Sequence, residues 1–345
     1  MTRPGAAGDG LLDWLLEESD AAVRAATLTR LLGRRDDDPD VVAARAAALE
    51  QDPIRAILAA QEPDGHWGPP GPGYQPKYTG TVWQLMFLDQ LGADPHDELV
   101  QRACDYVLAH NPTSNGGMGL RPAAGDGPPP PSMVIHCLNG NLLRALIGFG
   151  RYDDPRVKDA VSWAATRVTG EGVDNWYRSG TSGPRFACAA NDGNPCAWGA
   201  VKEMLALARI PARRRTRAVR DAIDVGVDFL LSCDPATAAY PTAERDSKPS
   251  GAWFQLGFPV AYVTDVLQVL EALVELGHAR DPRLRGALEW VVSQRDDDGR
   301  WRNRHAYQGK TTVDFERQGA PSKWVTLRAC GVLKAAQAPR EGSTQ

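Results

Sequence analysis

The stretch Leu85-Met-Phe-Leu-Asp-Gln-Leu-Gly92-Ala-Asp-Pro-His-Asp-Glu-Leu-Val-Gln-Arg-Ala-Cys-Asp-Tyr-Val-Leu108 decides the fold. An apolar run with Leu85, Leu88 and Leu91 at helical spacing stops at a glycine. A short turn containing Asp-Pro follows, and a second helix begins. Gly92 suits a helix C-terminus because positive φ costs it nothing, while proline cannot continue a helix but fits the start of the next one. The same pattern returns as LLRALIGFGRYDDPRVKDAVSWAA (142–165), MLALARIPARRRTRAVRDAIDVGVDFLL (204–231) and VLEALVELGHARDPRLRGALEWVV (269–292). The turn positions Gly92, Gly150, Ile210 and Gly277 are 58, 60 and 67 residues apart, so each repeat is a helix pair plus a long connection.

Within each pair the first helix is the more apolar. Val266, Leu267, Val269, Leu270, Leu273, Val274 and Leu276 cover most of a helix surface, which marks a buried helix. The second helix is amphipathic, with Arg283, Arg285 and Glu289 set against Leu284, Leu288 and Val291. Inner helices ringed by outer ones make an all-α fold, an α/α toroid (α/α barrel) of about five or six helical hairpins. A helix pair over 11–32 and 41–61 and a last inner helix over 324–336 complete the ring. The domain reading is a single toroid over 11–337, with flexible ends at 1–10 and 338–345.

Outer-to-inner connections are long, at about 62–80, 109–136, 170–195, 234–259 and 299–322. In a toroid they all lie at one end, where the inner helices begin, and long ordered loops are often functional. The mouth so formed also gathers helix N-termini, which favour an anionic group.

Composition excludes several classes. Of 345 residues, 43% are apolar and the net charge is −4, which fits a folded protein and not a nucleic-acid binder. The longest apolar-rich stretch, 261–276, is short and interrupted by Asp265, Glu271 and Glu275, so no membrane span is expected. Residues 1–10 lack a charged segment leading into an apolar run, which gives a cytoplasmic expectation. Six cysteines are too few for a disulfide scaffold and read as core thiols, metal ligands or catalytic groups. The oligomeric state stays open.

Two loops begin alike: Gln61-Glu-Pro-Asp-Gly65-His-Trp67, and Gln294-Arg-Asp-Asp-Asp-Gly299-Arg-Trp301 with one extra residue. Weaker copies stand at Asn115–Gly119 and Gly170–Gly172. This resembles the glutamine–tryptophan repeat of squalene–hopene cyclases and the related prenyltransferase β-subunits. The resemblance implies a terpenoid-cyclase-like toroid with a central apolar cavity for an isoprenoid or similarly apolar small molecule. It also implies acid-initiated cyclisation or rearrangement, an isomerase or lyase activity. The family's D-x-D-D acid motif is absent. Asp36-Asp-Asp-Pro-Asp40 matches a D-D-x-x-D diphosphate motif in form but reads as a solvated turn.

Candidate site residues lie at or near the inner-helix starts. Asp265 opens a long apolar helix, where burial would raise its pKa and suit it as a general acid; capping that helix is the alternative. Trp83, Trp198, Trp253, Tyr262 and Trp324 offer aromatic faces to a cation, or else pack the core. Asn139, Asn141 and Arg328 stand as polar substrate contacts, with helix capping the alternative for Asn139. Cys137, Cys188 and Cys196 fall on neighbouring helix starts and could converge on Zn²⁺, with His136 or Asp265 as fourth ligand; three buried thiols are the other reading. The zinc-dependent prenyltransferases' Asp-x-Cys pair is missing, so their ligands do not transfer. Three functions stay open: a terpenoid-cyclase-like enzyme, a zinc-thiolate transferase or cyclase, and a non-catalytic binding toroid.

Overall fold

The computed structural model describes residues 6–125, 127–173, 182–242 and 250–338; the expected flexible ends fall partly outside them. The helices are α1 (Ala6–Leu15), α2 (Ala21–Ala26), α3 (Pro39–Leu49), α4 (Ile54–Ala59), α5 (Thr81–Leu91), α6 (Glu98–His110), α7 (His136–Gly148), α8 (Pro155–Thr169), α9 (Ala197–Ala208), α10 (Arg217–Leu230), α11 (Val266–Glu275), α12 (Arg285–Ser293) and α13 (Lys323–Gln337). A π-helical turn, Thr27–Leu31, extends α2. One antiparallel pairing of Trp301–Arg302 with Pro321–Ser322 is the only sheet among the described residues. No described helix is long and apolar enough to cross a membrane.

The helices form an all-α toroid. α5 packs on α7, α7 on α9, α9 on α11 and α11 on α13, and α13 meets α2 and its π turn. Outside them stand α3, α6, α8, α10 and α12, each packed on its hairpin partner. The N-terminal α1 covers α13, so both ends of the chain join the ring.

Sequence chemistry accounts for these elements. All of α5 except Gln90 is buried, as an inner helix requires. Outer α10 buries Val219, Ala222, Ile223, Gly226, Val227 and Leu230, a single stripe at helical spacing. Gly92, Gly150 and Gly277 carry φ of 70°, 81° and 92° at the turns. Asp97 caps α6 by accepting from Leu99 N and Val100 N at 2.9 and 3.0 Å.

The tightest crossing is between α7 and α9. A Cβ on Gly140 would fall 2.4 Å from the Lys202 carbonyl carbon, and one on Gly199 would fall 2.9 Å from the His136 Cβ. Two glycines therefore let the helices touch. Across the seam, buried Glu203 accepts from Asn139 Nδ2 at 3.2 Å and faces His136 Nδ1 at 3.1 Å.

The long loops are tied to the inner helices by a recurring device. Trp67 N donates to Thr81 Oγ1 at 3.1 Å and Trp301 N to Thr326 Oγ1 at 3.0 Å. Each indole donates to the end of the preceding outer helix, Trp67 to Ile57 O and Trp301 to Val291 O. In the weaker copy, Met118 N donates to Asn139 Oδ1 at 3.1 Å. The loop at 256–265 goes deeper, wedged between α13 and α5. Phe258 stacks on Trp324 at 4.6 Å, and Val260 exchanges two hydrogen bonds with the Gln90 amide. Gln90 stands nine residues into α5, about 13 Å along its axis.

Candidate functional site

At the mouth, Pro69–Pro76 and Leu120–Pro122 border a groove of about 400 Å³ that ends on Tyr74. Behind Tyr74 lies a cluster of rings. Trp83 meets Tyr74 at 5.4 Å, Tyr262 at 5.0 Å and Tyr78 at 4.8 Å, and Tyr78 meets Tyr307 at 4.6 Å. Trp83 is held by its indole N–H, which donates to Tyr74 O at 2.9 Å. Burial raises the pKa of Tyr74 and, much further, of Tyr262, so both phenols keep their protons. Their hydroxyls face each other, yet that of Tyr262 is buried without a hydrogen bond of ordinary geometry.

Cys137, in the first turn of α7, lies near Tyr74, Tyr262 and Lys202. Lys202, six residues into α9, is fully buried and donates to Gln268 Oε1 on α11. Burial pulls its pKa down to about 7. The side chains of Gln84 and Asn141 add buried polar atoms without partners, Gln84 Oε1 and Asn141 Nδ2.

The sequence-predicted residues divide into two groups. Trp83, Tyr262 and Cys137 come together here. Asp265 is engaged as a helix cap, the alternative that its position also allowed. It accepts from Gln268 N at 2.7 Å and Gly257 N at 3.2 Å and faces Arg328 at 3.4 Å, so its carboxylate is an ionic cap fastening the inserted loop. Arg328 is likewise committed, bidentate to Glu271 at 2.8 and 2.7 Å and donating to Gly257 O at 2.8 Å. Burial disfavours its charge, but Glu271 and Asp265 outweigh that and hold its pKa up. Asn139 is spent on Met118 N and Glu203. Trp324 stacks on Phe258, and Trp253 donates to Pro235 O and packs on Tyr240, away from the mouth cluster. Trp198 is half-buried against the core.

The three thiols do line up, Cys137 facing Cys196 and Cys196 facing Cys188. Cys137 and Cys188 act on Cys196 in opposite directions, and with burial its pKa is pushed up to about 12. The proposed fourth ligands are occupied: both His136 ring nitrogens are engaged, by Glu203 and Gly183 O, and Asp265 is bound as above. No group of three His, Cys, Asp or Glu among the described residues is arranged to hold a metal ion. The expected zinc centre is thus not met there. The resemblance implied a central apolar cavity, and the ring interior also carries charge. Each inner helix from α5 to α13 brings a charged residue inside the ring wall: Asp89, Arg144, Lys202, Glu271 and Arg328.

Lys202, Tyr74 and Gln84 were not among the predicted residues. The signal was available as a lysine in the middle of the apolar run Ala197–Ala208. Such a residue must find a buried partner or lose its charge.

No protein-family model matches the chain, and no curated protein matches it. Solved structures of related outline include the type II terpene cyclase MstE from Scytonema, 17% identical over 92% of this chain and 88% of that one, with a TM-score of 0.45. Another is MstE in complex with geranylgeranyl dihydroxybenzoate, 19% identical over 92% and 87%, TM-score 0.44. An unsaturated glucuronyl hydrolase specific for heparin is 10% identical over 92% and 85%, TM-score 0.48.

Proposed function

We propose that the chain is an enzyme of the terpenoid-cyclase type in the broad sense: it takes a small, unsaturated, largely apolar molecule at the mouth and rearranges it by proton transfer. The substrate's apolar body, isoprenoid in character, lies along the proline groove and against Tyr74, Trp83 and Tyr262. The observation that carries this reading is Lys202, an amine buried inside the ring of helices, hydrogen-bonded to Gln268 Oε1 and pulled by burial to a pKa of about 7. A base is most effective when its pKa lies near the working pH, and a positioned one contributes about 10²–10⁴-fold. Lys202 takes a proton from an activated C–H of the substrate and, as the ammonium, returns it at another carbon of the same molecule, so the double bond moves and the amine is regenerated, while the aromatic faces hold the apolar body. Asp265 has no part in initiation, because protonating it would break its contacts with Arg328 and two backbone N–H groups.

The test is turnover of farnesyl- and geranylgeranyl-bearing compounds in D₂O, with products read by mass spectrometry. Wild type is expected to give an isomerised or cyclised product carrying deuterium, with a rate rising through about pH 7. Lys202→Met is expected to lower kcat by roughly 10²-fold or more. Exchange undiminished in Lys202→Met would overturn the assignment of the base. Saturable binding without turnover of any compound would favour a binding toroid, the reading to which the inserted Phe258–Ala261 loop lends weight.

A further inference from the structure

At the opposite end from the mouth, a crevice of about 360 Å³ lies between α2 with its π turn and the ends of α5, α7 and α9. Its walls include Arg30, Arg45 and Arg209, with Asp36 and Asp89 as the acids. Arg45 is matched by Asp36 at 2.6 Å. Asp89 is divided between Arg144 at 3.3 Å and Arg209 at 3.4 Å, both at the long end of an ion pair. That leaves Arg30 without a carboxylate of its own: it makes no salt bridge among the described residues.

Arg30 is exposed on the wall of the crevice, where solvent reaches it. Repulsion from Arg209 and Arg144 at this position exceeds the attraction of Asp89 and Glu275. The local field at Arg30 is therefore positive. It is carried on a π-helical turn, a distortion found often at functional sites. Gly148 keeps the wall open, since a Cβ there would sit 2.8 Å from Asp89 Oδ1 and 3.6 Å from Arg209 Nη1. Arginine forks suit oxyanions because they offer parallel N–H donors in a fixed plane.

We propose that this crevice is a binding site for a phosphoryl group, free phosphate or a phosphate ester, held by Arg30 and Arg209 with Arg45 at the rim. The volume admits more than a bare phosphate, so an ester or diphosphate fits as well. The site is separate from the mouth and does not depend on the activity proposed there.

Calorimetric and thermal-shift titration of the whole chain tests it, with inorganic phosphate, diphosphate, succinate, and chloride at matched ionic strength. Phosphate and diphosphate are expected to bind saturably at one site and to raise Tm, with succinate weaker and chloride without effect. Tighter binding of diphosphate than of phosphate would point to an ester as occupant; equal binding would point to the free ion. Arg30→Ala removes an exposed side chain that makes no hydrogen bond or ion pair among the described residues, so the fold is expected to survive, while the affinity falls at least tenfold. Arg30→Lys, which keeps the charge but not the fork, is expected to fall between. Unchanged affinity in Arg30→Ala, or a Tm rise that chloride reproduces, would overturn the proposal.

Discussion

Half-buried Glu316 and buried Lys202 both have pKa values of about 7, and they pull stability in opposite directions with pH. Burial raises Glu316 from 4.5 to about 7, although it accepts from Ser322 Oγ and Trp324 N. Between those values the folded state keeps a proton that the unfolded chain releases, so stability falls as pH rises through the window and the full penalty stands above 7. Glu316→Gln keeps an acceptor and is expected to leave Tm unchanged at about pH 4 and raise it by a few degrees at about pH 8. For Lys202 the unfolded chain is the better proton binder between about 7 and 10.5, so stability rises with pH there and the penalty is complete below 7. Lys202→Met is therefore expected to raise Tm by a few degrees at about pH 6, while removing the base proposed above. Asp265 shows why such sites are hard to read from sequence. An acid opening an apolar helix looks the same on paper as a general acid or as a cap, and only the positions of Gly257 and Arg328, which are 8 and 63 residues away, decide it.

At the scale of the element, glycine carries two opposite meanings. Gly140→Ala is expected to cost on the order of 1–3 kcal/mol by forcing α7 off α9. Gly331→Ala, in the interior of α13 with nothing within 4 Å of the added Cβ, is expected to stabilise by about 0.5–1 kcal/mol. Urea denaturation of both variants checks the contrast. Thr326→Val would strand the buried Trp301 N–H, at about 1–3 kcal/mol in the same assay. The helix pairs were legible because period, glycine stop and aspartate cap agree in three of the four repeats, the third having Ile210 at the stop and Thr216 as the cap. The loop anchors were half legible: Gln61-x3-Gly-x-Trp67 pointed to a shared turn, but its acceptor, Thr81, lies fourteen residues on. The seam at Gly140 and Gly199 was not legible, since a helical glycine shows what it permits only when its neighbour is known.

For the whole molecule, ring closure brings the long connections to the starts of the inner helices, where groove, ring cluster and Cys137 are found together. That arrangement followed from unequal connection lengths. The charged interior did not follow, because single residues such as Arg144 and Lys202 are diluted in apolar runs, and their pairing crosses from helix to helix. The account stands on the amine inside the ring being close to neutrality. Titration of the Lys202 Nζ by ¹⁵N NMR, assigned through loss of the signal in Lys202→Met, measures this without any substrate. The account predicts a midpoint near 7, and a midpoint near the ordinary 10.5 would contradict it.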